Sequence, residues 1–398
     1  MAMVSQHRSR SLLTRISNLD LTESNCSSHI GLKFMKQLKL KHTHSSNEFS
    51  HKTRVCARSK SLVLQRNCSM SKPVMTVTWE PVAPLGPNAA FHACALVGKT
   101  LYFHGGIQDA SSSSVPSKQF FKLNLDTLLW EKVAAPGSPA LSHHAAVVLE
   151  NRYFTLIGGW NGKKRLASIY VYDTVENKWM EMTHQGFPSG AGLSSHTATL
   201  TTNGKVLVIG REGSLRTQRK HGNMYILSGS VASNQFIYTS YTNNIISRSG
   251  HTVNLIGNNL YILGGRSDML FEKFVGIDYK KNSSCMLLDS IGKEINSSHQ
   301  QHLEKLPCGR KHHISAATND FILMHGGETF DGKAHAPVGD LFLITLKPIT
   351  KFYQLHSSQL CRSGHACIVL PNRIFIHGGR SGKNVINSGL YELKITTS

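Results

Sequence analysis

The chain has 398 residues, a net charge of +21, 40% hydrophobic residues and 17% charged residues. This apolar content supports a sizeable core and excludes a largely disordered protein, and no apolar run is long enough to predict a membrane-spanning helix. The excess of positive charge favours anionic partners. The eight cysteines form no C-x-x-C pair and no secretory signal is recognisable, so we expect reduced thiols in a cytoplasmic or nuclear protein.

Residues 1–72 differ in composition from the rest of the chain. They contain 13 Lys and Arg against 3 acidic residues and are rich in Ser, Thr, Asn and His. We expect a disordered basic extension here. A targeting presequence is the alternative, because Arg8, Arg10 and Arg15 precede the first acidic residue.

Two markers recur six times after residue 75. The first is a short apolar run that ends in Gly-Gly, with Gly210-Arg211 as the one departure. The second is a histidine 13 or 14 residues before the first glycine of each run. The glycines are 105, 158, 210, 264, 326 and 378, and the histidines are 92, 144, 196, 251, 313 and 365. Two independent markers in one register indicate an internal repeat with spacings of 52–62 residues.

Each repeat contains four predicted strands. The first follows the histidine, the second ends in Gly-Gly, the third carries an aromatic residue, and the fourth carries Trp or another aromatic residue. In the second repeat these are 144–148, 155–159, 170–173 and the segment around Trp179. Short runs of β-branched and aromatic residues separated by turns predict antiparallel strands. Four strands in a period of about 50 residues are typical of a propeller blade of the Kelch class.

The last repeat ends at residue 398 without a fourth strand. We expect residues 77–81, which include Trp79, to supply that strand from the other end of the ordered region. Closure of this kind removes an open sheet edge. The fourth repeat is longer than the others, and its insertion of about ten residues is expected between residues 283 and 306.

These motifs resemble the Kelch-repeat family of β-propellers over roughly 320 residues. The resemblance implies an all-β, six-bladed propeller in residues 73–398, closed by an N-terminal strand in the last blade, with a non-enzymatic role in protein binding. A closer likeness within the family implies a cyclin as a partner. It is carried by residues 142–144, 192–197, 210–213, 217–219, 247–251 and 325–329.

The recurring histidines allow two interpretations. Imidazole is a common metal ligand, but the ligands of one ion must converge within about 2.2 Å of it. Six positions spread around a propeller do not converge in this way, so we expect the histidines to bond loops between blades. No phosphate-binding glycine motif and no positioned catalytic triad is recognisable. We therefore expect no enzyme activity, no metal and no cofactor.

The repeat also predicts which residues share one face. Residues before each histidine and residues after each Gly-Gly pair should meet at one end of the propeller. The candidate partner-binding residues are Trp160, Ser194, Arg211, Arg248, Ser249, Arg266, Arg310, Arg362, Ser363 and Arg380. Arginine beside serine suits carboxylates and phosphates. For Arg248, Arg310 and Arg362 the alternative is that they brace the loops between blades.

The resulting hypothesis is a protein-interaction scaffold that binds an acidic or phosphorylated segment of a partner protein. A substrate-receptor subunit of a ubiquitin ligase is a second version of this role. Nucleic-acid binding through the basic tail and face is the alternative from another class. We expect a monomer that does not bind membranes.

Overall fold

A computed structural model of the chain describes residues 75–109, 115–134, 136–210, 224–241, 248–256, 259–267, 270–271, 274–278, 285–287, 307, 309–318, 321–330, 335–346, 351–355, 360–370, 373–382 and 385–397. The predictions for residues 1–72, for Arg211 and for residues 288–306 of the insertion lie outside this set. The described residues form an all-β fold without an α-helix. Accordingly, no helix that could cross a membrane occurs among them.

The strands group into four-stranded antiparallel units, which we call blades one to six in chain order. Blade one contains β2 (Ala93–Val97), β3 (Thr100–His104), β4 (Phe120–Asn124) and β5 (Trp130–Lys132). Blade two contains β6 (Ala145–Leu149), β7 (Tyr153–Trp160), β8 (Arg165–Asp173) and β9 (Lys178–Gln185). Blade three contains β10 (Thr197–Leu200), β11 (Val206–Ile209), β12 (Met224–Ser230) and β13 (Gln235–Tyr241). The outer strands β9 and β13 pair in parallel, so blades two and three form one eight-stranded sheet.

Blades four to six repeat this order. Blade four contains β14 (Thr252–Ile256), β15 (Asn259–Leu263), β18 (Phe274–Asp278) and β19 (Cys285–Leu287). Blade five contains β21 (Ile314–Ala317), β22 (Phe321–His325), β25 (Leu341–Thr345) and β26 (Lys351–Leu355). Blade six contains β27 (Ala366–Leu370), β28 (Arg373–His377), β29 (Leu390–Thr397) and β1 (Met75–Ala83). Two small sheets extend blades four and five: β16 (Arg266–Ser267) with β17 (Leu270–Phe271), and β20 (Arg310–Lys311) with β23 (Glu328–Phe330) and β24 (His335–Pro337).

The N-terminal strand closes the fold as predicted. β1 pairs with β29 in antiparallel register, with Trp79 opposite Leu393. Val77 and Trp79 are 0% and 6% exposed and pack in one cluster with residues of blades five and six. The strand that the last repeat lacks therefore comes from residues 75–83, at the beginning of the described part of the chain.

The core lies between blades. The buried apolar side chains of the described residues form clusters that each join two neighbouring blades. In the cluster between blades one and two, for example, Tyr102 and Phe120 pack against Phe154 and Tyr172. Each blade thus buries both of its faces, which explains why the central strands read as nearly continuous apolar runs.

A closed ring of backbone hydrogen bonds links the blades at one end of the axis. Its members are the residues directly before the marker histidines: Phe91, His143, Ser195, Gly250, His312 and Gly364. Each N–H donates to the carbonyl oxygen of the member before it, at 2.7–2.9 Å, and Phe91 completes the ring by donating to Gly364. All six members have a φ between 51° and 67°. We call this feature the backbone ring.

The two sequence markers touch each other in space, as blades two and three illustrate. A Cβ on Gly158 would lie 2.6 Å from Leu193 Cβ and 3.0 Å from the ring of His196 in the next blade. A Cβ on Gly159 would lie 2.7 Å from Cβ of His144 in its own blade. Both glycines have a positive φ, 63° and 106°. The glycine pair is therefore required by close packing against two histidines and by left-handed backbone.

Candidate partner-binding site

One end of the propeller, which we call the mouth, is formed by residues on and beside the backbone ring together with the residues that follow each Gly-Gly pair. Antiparallel backbone pairing joins the two sets in blades two, four, five and six. The pairs are Ser142 with Trp160, Ser249 with Arg266, Lys311 with Glu328, and Ser363 with Arg380. The structure thus brings together the two sets of residues that the sequence predicted to share one face.

Three of the predicted binding arginines are buried below the mouth. Arg248 and Arg310 are each 1% exposed and Arg362 is 9% exposed. Arg248 donates to the carbonyl oxygen of Gly264 at 3.0 Å, and Arg310 donates to that of Gly326 at 3.0 Å. In both blades the acceptor belongs to the first glycine of the Gly-Gly pair. This position, three residues before the histidine, points the side chain into the blade, so bracing is the role that the geometry supports.

Two of the predicted binding serines are also buried instead of exposed at the mouth. Ser194 is 2% exposed and Ser363 is 0% exposed, so neither presents its hydroxyl to a partner. Ser363 instead donates to a buried carboxylate, Oε1 of Glu328, at 3.0 Å. Both residues lie one position before the backbone ring.

Replacing Arg310 with Met is expected to destabilise the fold by about 3 kcal/mol, because it leaves a partly buried carboxylate without its partner. Arg310 makes two hydrogen bonds to Asp340, at 2.6 and 2.9 Å. Urea unfolding of the variant measures the effect. Lys164→Met, at an exposed residue of the mouth, is the control, with an expected change within about 0.5 kcal/mol. Equal stability of both variants would show that the buried arginine does not brace its blade.

The floor of the mouth consists of aromatic rings from the backbone ring. Phe91 stacks on His143 with 4.3 Å between ring centroids, and His312 meets both rings edge-on at 4.9 and 5.8 Å. Glycines make room for them, since a Cβ on Gly364 would lie 2.5 Å from the Phe91 ring and a Cβ on Gly250 would lie 2.8 Å from the His312 ring. Burial is the main cause that lowers the pKa of His143 to about 3, so this imidazole is neutral.

A buried carboxylate organises the side of the mouth formed by blades five and six. Glu328 is 1% exposed. Its oxygens lie 2.5 Å from Nη2 of Arg380, 3.3 Å from Nζ of Lys311 and 3.9 Å from Nδ1 of His312. Burial alone would raise the pKa of Glu328, but the nearby His312 and the charges of Lys311 and Arg380 outweigh it and lower the pKa. The carboxylate therefore stays ionised at neutral pH. We call these residues, with Ser363, the Glu328 network.

A basic hairpin, residues 160–165, rises at blade two. The Asn161 side-chain oxygen accepts hydrogen bonds from the N–H groups of Lys163 and Lys164 at 2.9 and 2.8 Å, which fixes the turn. Both lysines are exposed, and neither forms an ion pair within the described residues. The guanidinium of Arg165 lies 5.6 Å from the ring centroid of Trp160. The hairpin therefore presents an aromatic residue and three cations together.

The opposite end of the propeller has a different distribution of charge. Basic residues there pair with acids in blades one, two and six. The pairs are Lys99 with Asp126 at 2.9 Å, Arg152 with Asp173 at 2.6 Å, and Arg373 with Glu392 at 2.8 Å. Hydrogen bonding from Arg152 is the main cause that lowers the pKa of Asp173 to about 2. Positive charge at this end is largely balanced by these carboxylates, whereas the mouth sets the buried Glu328 and the exposed Asp109 against a larger number of cations.

Hydrogen-bonded histidine pairs between neighbouring blades were missed by the sequence interpretation. A marker histidine accepts from, or donates to, a histidine that directly precedes a Gly-Gly pair. The pairs are His104 with His144 at 3.0 Å, His325 with His365 at 3.1 Å, and His377 with His92 at 3.0 Å. The signal was present in the sequence, because blades one, five and six carry His at that position and the others carry Ile or Leu. Among the described residues, no three His, Cys, Asp or Glu side chains are arranged to hold a metal ion.

Radially arranged blades, paired histidines and a basic mouth define a Kelch-type β-propeller, a class that generally serves in protein interaction. The chain belongs to the Attractin/LZTR1 β-propeller family, whose model matches residues 65–338. It is 28% identical to human Kelch domain-containing protein 9 over 328 residues, which cover 76% of this chain and 90% of that protein. It is 23% identical to Kelch domain-containing protein 3 of Rattus norvegicus over 310 residues, 74% of this chain and 78% of that protein. Among solved structures, that of YjhT superimposes with a TM-score of 0.58 at 16% identity and covers 80% of this chain and 99% of its own.

Proposed function

We propose that this propeller binds an acidic or phosphorylated segment of a partner protein at its mouth. The observation that carries the proposal is the uneven distribution of charge in the described residues. Among the described residues of the mouth, six basic side chains stand against two carboxylates, of which Glu328 is buried: Lys163, Lys164, Arg165, Arg266, Lys311 and Arg380 against Asp109 and Glu328. The positive field attracts anionic segments and raises their association rate.

The rigidity of the mouth supports the same proposal. The backbone ring and the bracing arginines hold the loops, so little conformational entropy is lost when a segment binds. The aromatic floor and Trp160 provide apolar area beside the cations, a combination that is frequent in binding hot spots. A cyclin, which the sequence resemblance implies, and a substrate of a ubiquitin ligase are candidate partners of this kind.

Charge reversal at the mouth is expected to weaken binding strongly and to spare the fold. Lys164→Glu with Arg266→Glu should weaken binding of acidic peptides by at least about tenfold, since two attractions become repulsions. Arg380 is left unchanged because a carboxylate there would face Glu328. The probe is a display library of peptides from disordered protein regions, with affinities of selected peptides measured by calorimetry.

The matched control reverses the same number of charges at the opposite end. Lys178 is the first residue of β9 and Lys205 directly precedes β11, so both lie at that end, and both are exposed. Lys178→Glu with Lys205→Glu should leave peptide binding unchanged. An equal loss of peptide affinity in both double variants would show that only the net charge of the protein matters and would contradict a site at the mouth. Stronger binding of single-stranded DNA than of any peptide, with a steep salt dependence, would favour the nucleic-acid alternative.

A further inference from the structure

The Glu328 network holds two cations close together on one buried carboxylate. Arg380 follows the Gly-Gly pair of blade six, and Lys311 pairs with Glu328 across strands β20 and β23 of blade five. Without Glu328 the two positive groups would repel each other. The carboxylate brings them together and leaves the network with one net positive charge when His312 is neutral.

The cations lie on the solvent side of the carboxylate. The side chains of Arg380 and Lys311 are 29% and 19% exposed, whereas that of Glu328 is 2% exposed. Arg380 uses one of its five N–H donors on Glu328, and Lys311 contributes one contact. Within the described residues, neither cation donates a further side-chain hydrogen bond to the protein. Donors on both groups therefore remain for an anion that arrives from the mouth.

The position of Arg380 is fixed on a second side. Its guanidinium carbon lies 5.8 Å from the ring centroid of Phe91, which belongs to the aromatic floor. One guanidinium nitrogen is held by Glu328 and the planar group is held over the ring, so its free N–H groups have a defined direction. Such prior ordering reduces the entropy lost on binding.

We propose that Arg380 and Lys311, positioned by Glu328, form a subsite for a phosphomonoester on the partner segment. A phosphoserine or phosphothreonine carries about −1.5 to −2 charges and three terminal oxygens, enough to accept from both cations while Glu328 keeps its own contacts. A side-chain carboxylate carries one charge and two oxygens. It therefore competes with Glu328 for Arg380 and Lys311 without an advantage in charge. This inference rests on the proposed function and narrows its partner segment to a phosphorylated one.

The test uses the full chain and oriented peptide libraries whose centre is fixed as phosphoserine, as two consecutive glutamates or as serine. The glutamate pair matches the charge of the phosphoserine. The wild-type protein should prefer the phosphoserine library to the glutamate library by at least about tenfold. Equal binding of the two libraries would contradict the subsite and leave the proposed function standing. Binding of none of them would contradict both.

Variants separate positioning from charge. Glu328→Gln raises the net positive charge of the network, yet it should reduce the preference for phosphoserine, because the cations separate. Lys311→Met with Glu328→Gln keeps the wild-type net charge with one cation fewer and should also lose the preference. In the control, Lys163→Met in the basic hairpin should weaken binding of the phosphoserine and glutamate libraries by the same factor. An unchanged preference in both Glu328 variants, with thermal unfolding near that of the wild type, would overturn the proposal.

Discussion

Deletion of residues 1–83 is expected to yield a chain that cannot form a stable monomeric propeller, whereas deletion of residues 1–74 is expected to leave stability nearly unchanged. The nine residues between these endpoints are β1, whose residues pair with β29 and close blade six. Val77 and Trp79 are buried against blades five and six. Burial of two such side chains is worth about 4 kcal/mol, a large part of the stability of a typical domain.

The loss extends beyond those two side chains. Removing β1 exposes the edge of β29, an eight-residue strand, and an open edge of that length favours association with other chains. We therefore expect the shorter chain to aggregate. Size-exclusion chromatography with light scattering and far-ultraviolet circular dichroism measure the outcome. A synthetic peptide of residues 73–84, added in trans, should restore monomers in part. A soluble monomer that unfolds at the same temperature as the longer chain would contradict closure by β1.

The repeat markers made this closure predictable because they reflect local backbone requirements. The Gly-Gly pair is read directly from the sequence, and in blade two its glycines have a positive φ and touch two histidines. Strand order within a blade follows from alternating short apolar runs and turns. Trp79, at the position of a fourth-strand aromatic residue, then identified the missing strand.

Side-chain direction at the mouth was harder to predict. Arg310 and Arg380 each directly follow a glycine, yet Arg310 points into the blade and Arg380 towards solvent. The difference arises from the backbone ring, where Phe91 and His143 adopt a φ of 56° and 55°. Left-handed backbone at such residues is uncommon. It is imposed by the hydrogen bonds between blades, so no local sequence signal reports it.

The Glu328 network depended on the same long-range geometry. The sequence analysis assigned no role to Glu328. Its partners Lys311 and Arg380 lie 17 and 52 residues away along the chain and come from different blades. Repeat periodicity places all three at the same end of the propeller, but only their contacts show that the acid organises the cations.

Acidification is expected to unfold the propeller between about pH 6 and pH 4, above the range in which its paired carboxylates are protonated. The cause is a set of buried histidines that are neutral in the folded protein. Burial is the main cause that lowers the pKa of His92 and His196 to about 4 and that of His104 to about 3. Six further histidines share the direction and the cause: His144, His251, His313, His325, His365 and His377.

The sign of the effect follows from proton binding. Unfolded histidine has a pKa near 6.5, so below that pH the unfolded chain binds protons that the folded chain excludes. Stability is complete above about pH 6.5 and falls as the pH drops towards 3–4, by up to about 1.4 kcal/mol per pH unit for each histidine. Carboxylates such as Asp173, whose pKa of about 2 lies below the unfolded value of about 3.9, lose their contribution to stability only below about pH 5. The combined loss of stability from several histidines therefore exceeds a typical folding free energy of about 10 kcal/mol before most of the carboxylate contribution is lost.

The triple variant His104→Ile, His325→Ile and His377→Ile tests whether buried histidines cause the acid unfolding. Isoleucine is chosen because Ile157 and Ile209 occupy the equivalent position in blades two and three. Urea unfolding followed by tryptophan fluorescence from pH 8 to pH 5 gives the proton uptake from the slope of stability against pH. The variant should take up about three fewer protons on unfolding and unfold at a lower pH than the wild type. An unchanged slope, or acid unfolding of both proteins only below pH 4, would assign the transition to carboxylates and show that the paired imidazoles do not control it.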